Sequence, residues 1–173
     1  MKKIRPLLHP NIIDIEASGF GPLSYPIEIG IVLASGKGYC SLIKPQPQWT
    51  HWDHNAQVIH QLSRDTLEKH GNDVFTVANE LNTLLAGQTV YSDGWVVDKP
   101  WLITLFHAAC IPQKFTISAL EMILSESQMN IWHETKASIL ENSHFPRHRA
   151  STDAKVIQET YIRTFHYAKC TSN

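Results

Sequence analysis

Two carboxylates stand on one face of a predicted strand near the start of the chain. Residues 11–16, Asn-Ile-Ile-Asp-Ile-Glu, are rich in isoleucine and predict a buried strand. Side chains two positions apart point the same way, so Asp14 and Glu16 share one face and Ile13 and Ile15 the other. Close carboxylates repel, and a divalent cation between them removes the repulsion. The pair alone leaves two interpretations open: a metal site, or acids that face water.

Two later stretches of the sequence carry further candidate residues. Residues 91–102 place Asp98 at the start of a helix, just after a strand. Residues 148–161 place His148 five residues before Asp153, at the entry of the last helix. Carboxylate oxygens are the ligands that Mg²⁺ and Mn²⁺ prefer, and imidazole is a common proton acceptor near neutral pH. The chain has ten histidines, so an ordinary surface histidine is the alternative for His148.

In order and spacing these residues resemble the DEDDh 3′–5′ exonucleases, a family that includes oligoribonuclease, ribonuclease T and polymerase proofreading subunits. The three matching motifs are Asp14-Ile-Glu-Ala-Ser-Gly19, Asp98-Lys-Pro-Trp-Leu102 and His148-Arg-Ala-Ser-Thr-Asp153. Residues 26–32 and 56–67 also look like segments of that family. Each motif alone is weak, but together their order, spacing and context are specific. The resemblance covers roughly residues 9–167.

The resemblance implies a fold, an activity and a cofactor. The fold is ribonuclease-H-like, and the activity is hydrolysis of phosphodiester bonds from the 3′ end of single-stranded or short nucleic acid, which releases nucleoside 5′-monophosphates. Two Mg²⁺ or Mn²⁺ ions would be held by Asp14, Glu16, Asp98 and Asp153, with Asp14 shared between them. His148 would accept the proton of the attacking water.

The partners expected from the resemblance are the 3′ ends of single-stranded DNA or RNA, and a homodimer is left open because several relatives dimerise. Aromatic side chains near the motifs would stack on terminal bases or pack in the core, and both alternatives stay open. Arg147 and Arg149 flank His148 and would contact the nucleic-acid backbone or remain solvated. The expected substrate-binding residues are Ser18, Gly19, Phe20, Trp95, Trp101 and Arg149.

The second motif can be aligned in two ways. Asp93 stands five residues before Asp98, where the oligoribonuclease-like branch often has asparagine. We prefer Asp98 as the ligand, because a helix start and the pair Trp101-Leu102 follow it at the family's distance. Asp93 would then shape the turn at the strand end before Gly94.

Apolar spacing predicts an α/β fold with a mixed five-stranded sheet, in which three antiparallel strands are extended by parallel ones and covered by helices. The whole chain, 1–173, is expected to be one domain with a core at about 9–167. The predicted strands are 11–16, 26–35, 39–44, 88–92 and 115–117. The predicted helices are 55–69, 73–86, 98–109, 118–125, 134–141 and 152–167.

Composition narrows the class of protein. A net charge of −1 excludes a strongly basic nucleic-acid coat protein, and three scattered cysteines favour a reducing compartment. Neither an export signal nor a membrane-spanning run is found in the sequence, so we expect a cytoplasmic protein with no membrane partner. The rival functions are a non-catalytic nucleic-acid-binding module that retains the fold and a plain interaction domain.

Overall fold

A mixed five-stranded sheet lies at the centre of the computed structural model, which describes residues 9–142 and 148–171. Its order is β3-β2-β1-β4-β5; β1 and β3 both run antiparallel to β2, whereas β4 runs parallel to β1 and to β5. The predicted α/β sheet is confirmed. The strands are β1 (Asn11–Ala17), β2 (Pro26–Val32), β3 (Gly38–Leu42), β4 (Thr89–Ser92) and β5 (Thr116–Ala119).

Helices cover both faces of this sheet. They are α1 (His54–His60), α2 (Arg64–His70), α3 (Val74–Leu85), α4 (Trp95–Ala109), α5 (Glu126–Asn142) and α6 (Ala150–Thr171). Ile13 and Ile15 of β1 pack into one core cluster with α3 and α4. Ile12 packs into a second cluster with α5 and α6. By strand alternation, Asp14 and Glu16 share the face of Ile12, so they point toward α6.

Several predicted boundaries were wrong. The predicted helix 55–69 is two helices, because Gln61 takes a left-handed backbone with φ 58° and Ser63 then caps α2 by accepting a hydrogen bond from the Thr66 amide. The second strand ends at Val32 rather than residue 35, because the chain turns there with the Gly36 amide bonded to the Leu33 carbonyl.

The helices near the second and third motifs also differ from the prediction. α4 begins at Trp95 instead of Asp98, because the Gly94 carbonyl already accepts hydrogen bonds from the amides of residues 97 and 98. Predicted helices 118–125 and 134–141 are replaced by a 3-10 turn, Leu120–Ile123, and the long helix α5. Among the described residues, no helix has the length and apolar character needed to cross a lipid bilayer.

Candidate active site

The first two acids of the site come from the middle of the sheet. β1 lies between β2 and β4; it pairs with β4 at Asn11 and Ile12 and with β2 from Ile12 to Ala17. In the register with β2, Asp14 lies opposite Gly30 and Glu16 lies opposite Glu28. The register shifts between Glu16 and Ala17, where the chain leaves the sheet for the loop that follows. Both carboxylates therefore lie in the part of β1 that pairs with β2, close to the end of the strand.

The third acid, Asp153, comes from the first turn of α6. α6 approaches the sheet closely at Gly30: a side-chain Cβ built there would collide with the backbone of Ala150 and Ser151. Only glycine permits this approach. As a result, Asp14, Glu16 and Asp153 each offer a carboxylate oxygen, and these oxygens lie within 4.8 Å of one another.

The fourth acid, Asp98, lies in the first turn of α4 and is only 3% exposed. It lines the same cavity of about 590 Å³ as Asp14, Glu16 and Asp153, and it accepts a short hydrogen bond from the hydroxyl of Ser92. Asp93, the alternative ligand, instead pairs with Lys136, whose Nζ lies 2.6 Å from the Asp93 carboxylate. The structure thus brings Asp98 into the cavity and gives Asp93 a cationic partner.

The clustered acids hold protons unusually well in the absence of a cation. Burial raises the pKa of Asp14 well above its ordinary value, and the charges of Asp98, Glu16 and Asp153 raise it further. Burial, with the charge of Asp153, raises the pKa of Glu16 to about 7. Burial also raises the pKa of Asp98 to about 7, although the Ser92 hydrogen bond opposes it.

This donor set fits a hard divalent cation. All four groups are carboxylates, which are preferred ligands of Mg²⁺ and Mn²⁺. Three of them already present oxygens within 4.8 Å of one another, an arrangement in which mutual repulsion is relieved by a bound positive charge. Asp14, Glu16 and Asp153 are the residues that could hold such an ion, with Asp98 on the adjoining wall of the cavity.

His148 lines the same cavity, two residues before α6, and its side chain is exposed. Its backbone is left-handed, with φ 58°, a conformation that is costly for a residue other than glycine. Among the described residues, the cluster of close ligand atoms contains three carboxylates and not His148. His148 is therefore placed to reach the cavity from its rim.

The predicted substrate residues of the first loop have different surroundings. Phe20 is 72% exposed and lines the cavity, with its ring 6.0 Å from that of Trp101, which is buried and donates from Nε1 to Ser24. Gly19 also lines the cavity, and a Cβ there would lie 2.6 Å from Asp53. Ser18 is buried, and its hydroxyl lies 3.0 Å from Nδ1 of His51.

The remaining predicted substrate residues lie further from the cavity or are already paired. Trp95 is half-buried, is absent from the described residues that line the cavity, and donates from Nε1 to the Ile117 carbonyl at 3.4 Å. Arg149 is paired with Glu28, with 2.6 Å between the guanidinium and the carboxylate. Arg147 lies outside the described residues.

Sequence reasoning missed several residues that line the cavity, and three of them differ clearly in chemistry: Ile59, His60 and Lys136. Ile59 presents a half-exposed apolar side chain there. Next to it, His60 is buried; its Nδ1 accepts from the Leu62 amide, and its Nε2 has no hydrogen-bond partner among the described residues. Lys136 adds a cation from α5. The resembling segment 56–67 could have indicated the first two, but nothing in the sequence points to Lys136.

We expect the metal-free protein to lose stability as pH rises from about 5 to about 8. The pKa values of Glu16 and Asp98 are about 7 in the folded protein, above their ordinary values near 4 in an unfolded chain. The folded state therefore binds more protons than the unfolded state in this pH range. The contribution of these protons to the free energy of unfolding is lost as pH rises through about 7. Thermal melting in EDTA measures the effect.

The double variant Glu16→Gln with Asp98→Asn tests the cause of this pH dependence. Its melting temperature should change less with pH than that of the parent. Mn²⁺ should raise the melting temperature most at the higher pH, because it binds deprotonated carboxylates. An unchanged slope in the double variant would show that other groups cause the pH dependence.

Comparison with known proteins gives structural likeness only. No family model and no curated protein matches this chain. A structure of exonuclease I that addresses how processivity is achieved matches with a TM-score of 0.69 and 14% identity, over 91% of this chain and 42% of that chain. E. coli exonuclease I in complex with a dA16 oligonucleotide matches with a TM-score of 0.63 and 12% identity, over 94% and 43%.

A zinc-bound complex of E. coli exonuclease I with single-stranded DNA matches with a TM-score of 0.65 and 14% identity, over 91% of this chain and 42% of that one. The chain spans less than half the length of these structures. The likeness confirms, at the level of the fold, the resemblance to exonucleases expected from the sequence.

Proposed function

We propose that this chain is a divalent-metal-dependent 3′–5′ exonuclease of the DEDDh type. One observation carries the proposal: residues of all three motifs, far apart in sequence, line one cavity on a fold shared with exonuclease I. In that cavity the oxygens of Asp14, Glu16 and Asp153 lie within 4.8 Å of one another. A cluster of like charges destabilises a fold, and a bound cation removes this cost because it neutralises the charges.

The residues of the chain would divide the work of hydrolysis. Asp14, Glu16, Asp98 and Asp153 would hold two Mg²⁺ or Mn²⁺ ions; bound cations of this kind neutralise the scissile phosphate and the leaving oxygen and make water more acidic. A ring nitrogen of His148 would accept the proton as the water oxygen bonds to phosphorus. The bond from phosphorus to the 3′ oxygen would break with its electron pair on that oxygen, which takes a proton from water and remains as the 3′ hydroxyl of the shortened strand, while a nucleoside 5′-monophosphate is released.

The substrate would be the 3′ end of single-stranded or short DNA or RNA. The ring of Phe20 is exposed at the cavity and lies against Trp101, so it offers an aromatic surface on which a terminal base could stack. Of the cavity-lining residues, Lys136 carries a cation for the phosphate backbone, although it is paired with Asp93 here. The neighbours that contain dA16 and single-stranded DNA favour this class of substrate.

A labelled oligonucleotide assay tests the proposal. DNA and RNA strands labelled at the 5′ end are incubated with Mg²⁺ or Mn²⁺, and we expect a ladder that shortens one nucleotide at a time from the 3′ end. EDTA and a blocked 3′ end are the controls. Early release of the labelled end would show the opposite polarity. Binding without cleavage would identify a non-catalytic nucleic-acid-binding module.

The two alignments of the second motif predict different metal affinities. Asp98→Ala should weaken Mn²⁺ binding by about 10- to 100-fold, because Asp98 lines the acidic cavity. Asp93→Asn should keep Mn²⁺ affinity within about twofold, because Asp93 pairs with Lys136. Calorimetric titration of both variants measures the difference. The reverse order would assign the ligand to Asp93 and shift the second motif by five residues.

A further inference from the structure

A buried carboxylate that the proposed chemistry does not use lies beside the acidic cluster. Glu28 of β2 is 0% exposed and lies directly opposite Glu16 in the sheet. Two like charges opposite each other in neighbouring strands destabilise a sheet, and a buried charge without a partner is costly. Glu28 must therefore be compensated by a cation or by hydrogen-bond donors.

Among the described residues, the compensation comes from the segment that follows His148 and from β3. Arg149 donates from Nε to both carboxylate oxygens of Glu28 at 3.1 Å and from a terminal nitrogen at 2.6 Å. The backbone amide of Ala150 donates to the same carboxylate at 3.0 Å, and the Cys40 thiol lies 3.4 Å away. Glu28 thus binds the two residues that directly follow His148.

Close packing reinforces these hydrogen bonds. Gly30, two residues after Glu28 and on the same face, makes room for the backbone of Ala150 and Ser151. The first residues of α6 are thus held at two neighbouring positions of β2. Glu28 holds them by charge-assisted hydrogen bonds, and Gly30 by van der Waals contact. His148 immediately precedes this anchored segment and has a left-handed backbone, a conformation that persists only where neighbouring structure fixes it.

We propose that Glu28 and Arg149 are positioning residues, which fix the backbone at residues 148–150 so that His148 faces the cavity. This inference rests on the proposed function. It also gives Arg149 a different role from phosphate binding: its donors are directed at Glu28, although 38% of its side chain remains exposed. Glu28 would act on His148 through Arg149 and the backbone of Ala150, and it would not contact the substrate.

Arg149→Lys is the first variant, because lysine keeps the charge and loses the bidentate geometry. Glu28→Gln is the second, and Glu28→Gln with Arg149→Gln removes both charges, which avoids leaving one buried charge unpaired if a single variant fails to fold. The matched control is Arg163→Gln, since Arg163 lies on α6 and pairs with the exposed side chain of Glu159 at 2.7 Å. Melting temperatures identify the folded variants.

We expect the Glu28 and Arg149 variants to lower kcat by about 10- to 100-fold, the effect of a small misplacement of a catalytic group. Their affinity for an oligonucleotide should stay within about twofold. In a His148→Ala background the same changes should cause no further loss of kcat, because the group that they position is gone. Arg163→Gln should match the parent throughout.

Three results would overturn the inference. Weaker oligonucleotide binding by Arg149→Lys or by the double variant, with a reduced salt dependence, would make Arg149 a phosphate contact. An equal loss of kcat with and without His148 would show that the pair acts independently of it. Unchanged turnover in all folded variants would show that the pair does not position a catalytic group.

A second measurement separates this inference from the proposed function. The imidazole proton signals of His148, assigned by their absence in His148→Ala, should shift in the Glu28 and Arg149 variants and not in Arg163→Gln. If the parent protein degrades no oligonucleotide, the exonuclease proposal fails while these signals still report on the position of His148. Signals that are identical in all variants would overturn the positioning role, whatever the activity.

Discussion

Asp14→Asn should reduce nucleotide release to the background of the assay while leaving the fold intact. Asp14 lies at the centre of the acidic cluster: its oxygen is within 4.8 Å of those of Glu16 and Asp153, and the charge of Asp98 also raises its pKa. Removing one carboxylate relieves repulsion, so the metal-free variant should melt at the same or a higher temperature than the parent. It should also lose most of the stabilisation by Mn²⁺.

The matched control for Asp14→Asn is Asp65→Asn, which makes the same chemical change at an exposed position on α2. It should retain parental activity and parental stabilisation by Mn²⁺. Oligonucleotide ladders and melting curves, each with EDTA and with Mn²⁺, measure both variants. A large drop in the metal-free melting temperature of Asp14→Asn would mark Asp14 as a structural residue and count against the metal site.

His148→Ala should lower turnover by about 10²- to 10⁴-fold, the usual contribution of a positioned proton acceptor. Mn²⁺ and oligonucleotide should still bind, because His148 lies at the cavity rim and the close ligand atoms among the described residues are carboxylates. Oligonucleotide ladders of the parent and the variant, recorded at saturating Mn²⁺, measure the loss of turnover.

His107→Ala provides the control for the histidine variant, because His107 is exposed near the opposite end of α4 from Asp98. Mn²⁺ calorimetry and oligonucleotide cleavage rates of both variants separate the possible roles of His148. Lost Mn²⁺ binding would make His148 a ligand, and unchanged turnover would leave it a bystander. Either outcome would require a different proton acceptor for the proposed reaction.

Local patterns predicted the sheet and the acids better than the helix ends. Alternation in β1 was enough to place Asp14 and Glu16 on one face, because that rule depends only on neighbouring residues. The start of α5 also had a local signal that was overlooked: the amide of Gln128 bonds to the Ser125 side chain, and the Gln128 side chain bonds back to the Ser125 amide. The break after α1 had none, since glutamine has no preference for the left-handed conformation of Gln61.

Contacts between distant residues could not be predicted from the sequence. The hydrogen bonds between Arg149 and Glu28 span 121 positions, and those residues show no pattern that links them. The ion pair of Lys136 with Asp93 spans 43 positions and depends on how α5 packs. A lone glutamate in the apolar strand Pro26–Val32 was the one visible sign that a buried partner was needed.

The anchoring of α6 on β2 has a consequence for the chain while it is being synthesised. Synthesis releases Asp14, Glu16 and Glu28 long before Arg149 and Asp153, so a nascent chain carries the acids without the residues that complete and neutralise their surroundings. A chain that ends before residue 149 therefore lacks both the cation that pairs with Glu28 and the third acid of the cluster, so it cannot assemble the cavity.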